Sequence, residues 1–539
     1  MQPCCNSSGM LRNAEHFLNI PFSISDRLRN CLLFIEKNGI LIVNIRDRAN
    51  GCGFFPRIGV EMVFSGLTFL LLFFPTVALL VLISRNLRWQ NAVLLIASLV
   101  FYAWGEPKWI LAMLAVTAVN YLCALPLQRE TLPRALRRLL LAVGILAGLG
   151  FLIYFKYAAF FVNTVGGLFG RPDLLAPVAL PIGISFYTFQ ALTYSVDVYR
   201  GKTPVQKNPL KLLLYVSCFP QLIAGPIVQY GDIAAQLDDR KITVNGYIRG
   251  FRRFCVGLAK KVLLANLCGS VITELGMADT GSMTVLGAWL GAILYSLQIY
   301  FDFSAYSDMA IGIGRMLGFT YKENFNYPYM ADSITDFWRR WHISLGAFFR
   351  DYVYIPLGGN RVGKLRLVLN LLIVWGLTGL WHGASWNFIL WGFLYGVLLI
   401  FEKLVLGKRL TRIPSALRRI FTLLAVMLGW VIFYYEDVRL GLRHIGALIG
   451  VTVTNGVWET IPLFDGKWLL LGKYAAPLLL MFVACTPLAK TIADRWERKQ
   501  RKKRCGYELA ASVVSIGLLA LSLLFLIGQS YNPFIYFRF

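Results

Sequence analysis

The chain has 539 residues, of which 57% are apolar or aromatic and only 15% charged, against about 25% charged in an ordinary soluble domain. Apolar runs near the bilayer-spanning length of about 20 residues recur along it, which excludes a soluble globular enzyme, a disordered chain and a small disulfide scaffold; they are too continuous for the alternating strands of a membrane β-barrel. The net charge of +26 sits in short loops between these runs, so it implies membrane orientation and anionic membrane lipid, and no basic stretch is interleaved with aromatics as a nucleic-acid platform would be.

In chain order, residues 1–61 stand apart: they are mixed in composition, and their best apolar stretch, Cys31–Ile45, is broken by Glu36, Lys37, Asn38 and Gly39. They make a poor secretory signal, and we expect them to be leader sequence preceding a true start at Met62. From there the apolar runs are Leu67–Ile83, Asn91–Trp104, Ile110–Leu125, Leu139–Tyr154, Ala176–Tyr194, Leu210–Ile227, Val285–Phe301, Val368–Trp381, Phe388–Phe401, Phe421–Tyr434, Leu469–Ala484 and Ser512–Ile527. Shorter or amphipathic pieces lie between them at Gly246–Asn266, Met309–Leu317, Ile334–Leu357 and Leu442–Val453. The expected fold is therefore all-α, a polytopic transmembrane helical bundle of about 11 to 14 spans plus re-entrant or interfacial helices, with residues 62–539 as one membrane domain. The basic stretches Arg129–Arg138, Lys403–Arg419 and Lys490–Arg504 should face the cytoplasm and Glu436-Asp437 the outside. Counting back from Lys403 puts the Trp381-His382 turn toward the outer half, or recessed in the membrane.

Polar groups within such a chain cost several kcal/mol unless paired or wet, so they are where function is sought. They concentrate between residues 300 and 390: Asp302, Ser304, Ser307 and Asp308; then Asn324 in a turn-like stretch with Pro328; then Asp336-Phe-Trp338-Arg339-Arg340-Trp341-His342; then Arg350–Arg361; then Trp381-His382-Gly383. Only four histidines exist, and His342 and His382 lie within this region, each preceded by Trp. Histidine is the side chain best suited to move protons near neutral pH. The alternative for His382 is a structural ring bonded to a nearby carbonyl, and His342 could orient a substrate or His382 without moving a proton. Arg339 and Arg340 could equally be lipid-surface charges. His444 lies in a basic amphipathic piece and is expected at the interface, and His16 falls in the leader. The ten cysteines show no CxxC pair and no Cys/His set of zinc spacing, so neither a disulfide nor a metal is assigned.

Six motifs in order resemble the membrane-bound O-acyltransferase superfamily, in its bacterial alginate O-acetyltransferase-like branch. They are Pro181–Gln190, Phe219–Ile227, Phe301–Gly318, Trp338–Leu345, Arg350–Arg361 and Gly379–Trp386, and the terminal Pro533–Phe539 also looks like the end of these proteins. The resemblance covers roughly residues 62–539. It implies a helix-lined tunnel through the membrane, with His382 as the essential intramembrane histidine and His342 as the second polar position. It also implies a co-substrate rather than a bound cofactor: a cytoplasmic acyl thioester, acetyl-CoA or an acyl carrier. The acyl group would pass to an extracytoplasmic acetyltransferase partner protein, with a secreted or surface polysaccharide as final acceptor.

The expected activity is thus O-acetylation of a polysaccharide from a bacterial cytoplasmic membrane. A neutral imidazole would take the proton of an attacking hydroxyl in a site that excludes water. Trp338, Trp341 or Trp381 could offer indole N–H groups to the oxyanion; Arg339, Arg340 and Arg361 could meet the donor's phosphates; Asn324 and Asp336 complete the candidate binding set. Two rivals remain: D-alanyl transfer toward teichoic acid by the same fold, and a transporter or flippase, for which intramembrane polar groups are equally expected but inverted repeats are not evident.

Overall fold

Within a bilayer every backbone N–H must find its partner inside the chain, so long apolar runs without prolines become helices. The computed structural model describes residues 62–539 except 130, 224, 455–456, 467–468, 500–503, 528–533 and 536–539; the expectation that 1–61 are a leader lies outside the described residues. Among the described residues, eight helices are long and apolar enough to cross a membrane: α1 (Ile110–Gln128), α2 (Arg134–Leu168), α3 (Val244–Leu275), α4 (Val285–Met316), α5 (Lys364–His382), α6 (Trp386–Arg412), α7 (Ser415–Tyr434) and α8 (Gly506–Leu526). A ninth crossing would be the pair Leu469–Ala484 and Leu488–Arg498, bent by 61°; Thr486-Pro487 stand at the break. The described strands are one antiparallel hairpin, β1 (Val451–Thr454) and β2 (Val457–Thr460), with Val451 opposite Thr460.

The protein is a polytopic helical bundle, as expected, but its spans are partitioned differently from the apolar runs. Ala176–Tyr194 does not form one helix: Pro181 lacks a donor, Gly183 is left-handed at φ 77°, and the helix starts only at Ile184. Leu210–Ile227 divides into Pro209–Ser217 and Phe219–Leu222, with Pro220 in the second piece. Conversely, the amphipathic piece Gly246–Asn266 is part of the 32-residue α3, and Val285–Phe301 continues unbroken to Met316, taking in all but the last residue of Met309–Leu317, as the 32-residue α4.

Side-chain pairing explains why α4 can carry polar residues through its middle instead of ending before them. Lys261 Nζ lies 2.6 Å from Asp302, both side chains being almost wholly buried. Asp308 is held by Arg253 at 2.8 Å and Lys260 at 2.7 Å. All three cations belong to α3, which packs backbone to backbone on α4: a Cβ at Gly250 would stand 2.6 Å from the Gly312 carbonyl oxygen. Glycine is required there by approach, not by dihedral angle.

Between α4 and α5 the chain folds back in short pieces, Ile334–Arg340 and Ile343–Phe349, after a left-handed Tyr327 (φ 46°) and Pro328. The Ser333 hydroxyl caps the first piece by accepting from the Asp336 N–H at 3.0 Å. Glu402 of α6 accepts from the Ile334 and Thr335 N–H groups at 2.8 and 3.2 Å, which anchors the piece to the bundle. His444 departs from expectation: it is fully buried, not interfacial, with Nδ1 2.8 Å from the Tyr435 hydroxyl and Nε2 3.0 Å from the Ala288 carbonyl oxygen. Both ring nitrogens are used, so it ties the Val438–Leu448 helix to α4.

Candidate active site

His342 occupies the joint between the two short helices, in left-handed conformation at φ 44°. A non-glycine residue there is uncommon and costs about 1–3 kcal/mol, held only where its surroundings over-determine it. Asn324 does so twice. Its carbonyl accepts from the Ile343 N–H at 3.0 Å, and its side-chain Oδ1 receives the Ser344 N–H at 3.2 Å, the Ser344 hydroxyl at 2.9 Å and His342 Nδ1 at 3.2 Å. The other end of the amide donates to Ser307 of α4 at 3.1 Å.

This arrangement favours one tautomer: the Ser344 hydroxyl stands 3.4 Å from His342 Nδ1 but is closer to Asn324 Oδ1, at 2.9 Å, and donates there. A backbone N–H can only donate, so the Asn324 atom facing Ser344 is the oxygen, and His342 must place its proton on Nδ1 to bond it. Nε2 is then an acceptor. It is buried and has no hydrogen-bond partner among the described residues.

His382 ends α5, and Gly383 follows in extended conformation. Its ring is boxed by Trp381, Trp391 and Phe433 at centroid distances of 4.9, 5.0 and 5.1 Å. The Trp381 indole also touches His342, at 5.7 Å, so a single ring contacts both histidines. Phe303 meets His342 edge-on at 4.7 Å. Close packing of α5 against α6 makes the box possible, since Gly379 lies against the Phe388 carbonyl and Gly392 against that of Trp375.

Two cavities adjoin this centre. One of about 20 Å³ is bounded by His382 and mainly aromatic side chains. The other, about 630 Å³, includes Lys156, Asn163, Gly383, Ser385, Trp386 and Glu436 among its lining residues, so the turn after His382 and the Glu436 loop share one end of the bundle. Lys156 Nζ donates to the carbonyls of Trp381 (2.6 Å) and His382 (3.2 Å), and the Tyr157 hydroxyl donates to that of Leu380 (2.9 Å). An ammonium at the carboxyl end of a helix meets the negative pole of its dipole.

Of the residues singled out by sequence, His342, His382, Asn324, Trp341 and Trp381 come together. Trp338 lies one ring further out, 5.5 Å from Trp391. Its indole N–H is buried and has no partner among the described residues. Asp336 and Arg340 pair with each other at 2.9 Å, while Arg339 and Arg361 are exposed and stand outside the aromatic enclosure. Sequence reasoning missed Lys156 and Tyr157. The apolar run Leu139–Tyr154 stops just before them, whereas the helix continues to Leu168; a lysine flanked on both sides by apolar residues is the available signal.

Comparison with known proteins bears on what this centre does. The profile of MBOAT, the membrane-bound O-acyltransferase family, matches residues 204–442. A probable alginate O-acetylase of Azotobacter vinelandii is 38% identical over 510 residues, covering 89% of this chain and 100% of that protein. A peptidoglycan O-acetyltransferase of Helicobacter pylori is 31% identical over 495 residues, covering 85% and 93%. A teichoic acid D-alanyltransferase of Bacillus subtilis is 30% identical over 268 residues, covering 46% and 65%.

Proposed function

Because the chain belongs to the membrane-bound O-acyltransferase family, we propose that this multi-pass membrane acyltransferase takes an acetyl group from a cytoplasmic thioester and delivers it outward for O-acetylation of a secreted or surface polysaccharide. The observation that carries the reading is the pair of buried histidines on one indole, with His342 fixed so that Nε2 is an acceptor.

In the transfer, the oxygen of an acceptor hydroxyl attacks the thioester carbonyl carbon. Its proton passes to a neutral imidazole nitrogen, the C–S bond breaks, and the imidazolium returns the proton to the departing sulfur. His382 and His342 are the residues proposed for this proton traffic. Trp381 fixes both rings, and the aromatic walls keep bulk water from hydrolysing the thioester. Lys156 is proposed as a positioning residue, holding the end of α5 that carries His382. The exposed Arg339 and Arg361 are proposed contacts for donor phosphates at the cytoplasmic face. The 630 Å³ cavity is the proposed approach for the outer acceptor, whether an extracytoplasmic acetyltransferase or the polymer itself.

The test is the acetyl ester content of the exopolysaccharide in wild type, a deletion strain, and the deletion complemented with His382→Ala or His342→Ala. Ester lost in the deletion and restored by wild type but by neither variant is expected. Restoration by His382→Ala would remove its role. The D-alanyl relative motivates a second assay, D-alanine released from teichoic acid, whose loss in the deletion with acetyl ester unchanged would favour aminoacyl transfer.

A further inference from the structure

The small cavity beside His382 has walls from Phe303, Trp341, Trp430, Phe433 and Phe534. Phe534 is distant in sequence from the other four and is 2% exposed. Its ring lies 5.9 Å from that of Phe303 and 4.8 Å from that of Tyr306. The main chain beside it is fixed by charge: the Ile535 N–H donates to Asp302 Oδ2 at 2.7 Å, while Lys261 holds the other carboxylate oxygen at 2.6 Å. Phe534 therefore has a defined place in the wall, set by an anchor within α4.

The size of the space is informative. A cavity needs about 10–15 Å³ on this measure to admit one water. At about 20 Å³, this one has room for little more than a methyl group, so a longer carbon chain presses on its mainly aromatic walls. Its chemistry points the same way. The walls are apolar, and the one carboxylate, Asp302, is already engaged by Lys261 and Ile535, which leaves no counter-charge committed to an aminoacyl ammonium.

We propose that this cavity receives the carbon chain of the transferred acyl group and that Phe534 limits that chain to two carbons. The proposal rests on the acyl-transfer reading above and extends it by naming what determines the acyl group. Discrimination by one methylene in an apolar pocket is worth about 10–200-fold. Shortening Phe534 should relax it by about tenfold, because the wall recedes without touching either histidine.

The test compares the deletion strain complemented with wild type, Phe534→Leu or Phe534→Ala, grown with propionate to supply propionyl thioesters. Esters are released from the exopolysaccharide by mild alkali, and acetate and propionate are quantified against the enzyme level in membranes. Wild type should give acetate almost alone. The propionate-to-acetate ratio should rise in Phe534→Leu and by about tenfold in Phe534→Ala. An unchanged ratio in both variants, with acetyl ester retained, overturns the role of Phe534 and leaves the acyl-transfer reading intact. Loss of all ester in both variants at normal enzyme level also overturns it, since Phe534 would then be structural. Absence of any wild-type-dependent acetyl ester overturns both readings.

Discussion

Replacing Asn324 by alanine tests the histidine geometry without touching either imidazole. The amide oxygen is the acceptor that keeps the proton of His342 on Nδ1. A neutral hydrogen bond contributes a net of about 0.5–1.5 kcal/mol, so its loss should lower the ratio of Nδ1–H to Nε2–H tautomer by about 2- to 13-fold. Three donors lose their acceptor: the Ser344 hydroxyl can turn to another, whereas His342 Nδ1–H and the Ser344 N–H are fixed and stranded at a largely buried site. At about 1–3 kcal/mol each, they imply about 2–6 kcal/mol of lost stability, enough to loosen the left-handed His342. The expected result is a fall in kcat of about tenfold with the donor KM little changed, together with a lower melting temperature in detergent. Asn324→Asp keeps an acceptor oxygen and should fall less in rate. Initial rates of acetyl transfer by membranes, normalised to enzyme content, provide the assay. A wild-type rate in Asn324→Ala alongside an inactive His342→Ala would refute the tautomer argument.

Three other outcomes are expected. Lys156→Met should lower kcat by about tenfold through two lost charged hydrogen bonds, at unchanged KM, and Lys156→Arg should recover part of it in the same kinetic assay. Lys261→Met strands the buried Asp302 and should cost about 3–5 kcal/mol, seen as poor expression or a large drop in melting temperature; adding Asp302→Asn removes the charge, retains an acceptor for Ile535, and should restore most of it. His444→Ala should lower stability through its two buried hydrogen bonds, while acetyl ester per folded enzyme in the membrane stays at the wild-type level.

The class of the molecule and the location of its chemistry were legible in the chain because both depend on local quantities. A lipid-facing run of apolar residues without prolines must be helical to satisfy its backbone, and costly polar residues mark themselves wherever they occur within such runs. That argument reached His342, His382, Asn324 and the tryptophans around them. It stopped where a residue's environment is made by distant partners. Asp302 and Asp308 looked like residues beside spans, yet they lie inside α4, since cations on α3 neutralise them. His444 looked interfacial until Tyr435 and the Ala288 carbonyl satisfied its ring.

Tertiary structure alone decided the tautomer of His342, the attachment of Lys156 to the end of α5 and the entry of Phe534 into the wall beside His382. Each joins groups on separate segments, in the last two cases more than 150 residues apart. Hydrophobic patterning sets which faces are buried, but not which buried polar group meets which. That choice comes from close packing, where glycines admit one backbone to another and most buried donors find an acceptor.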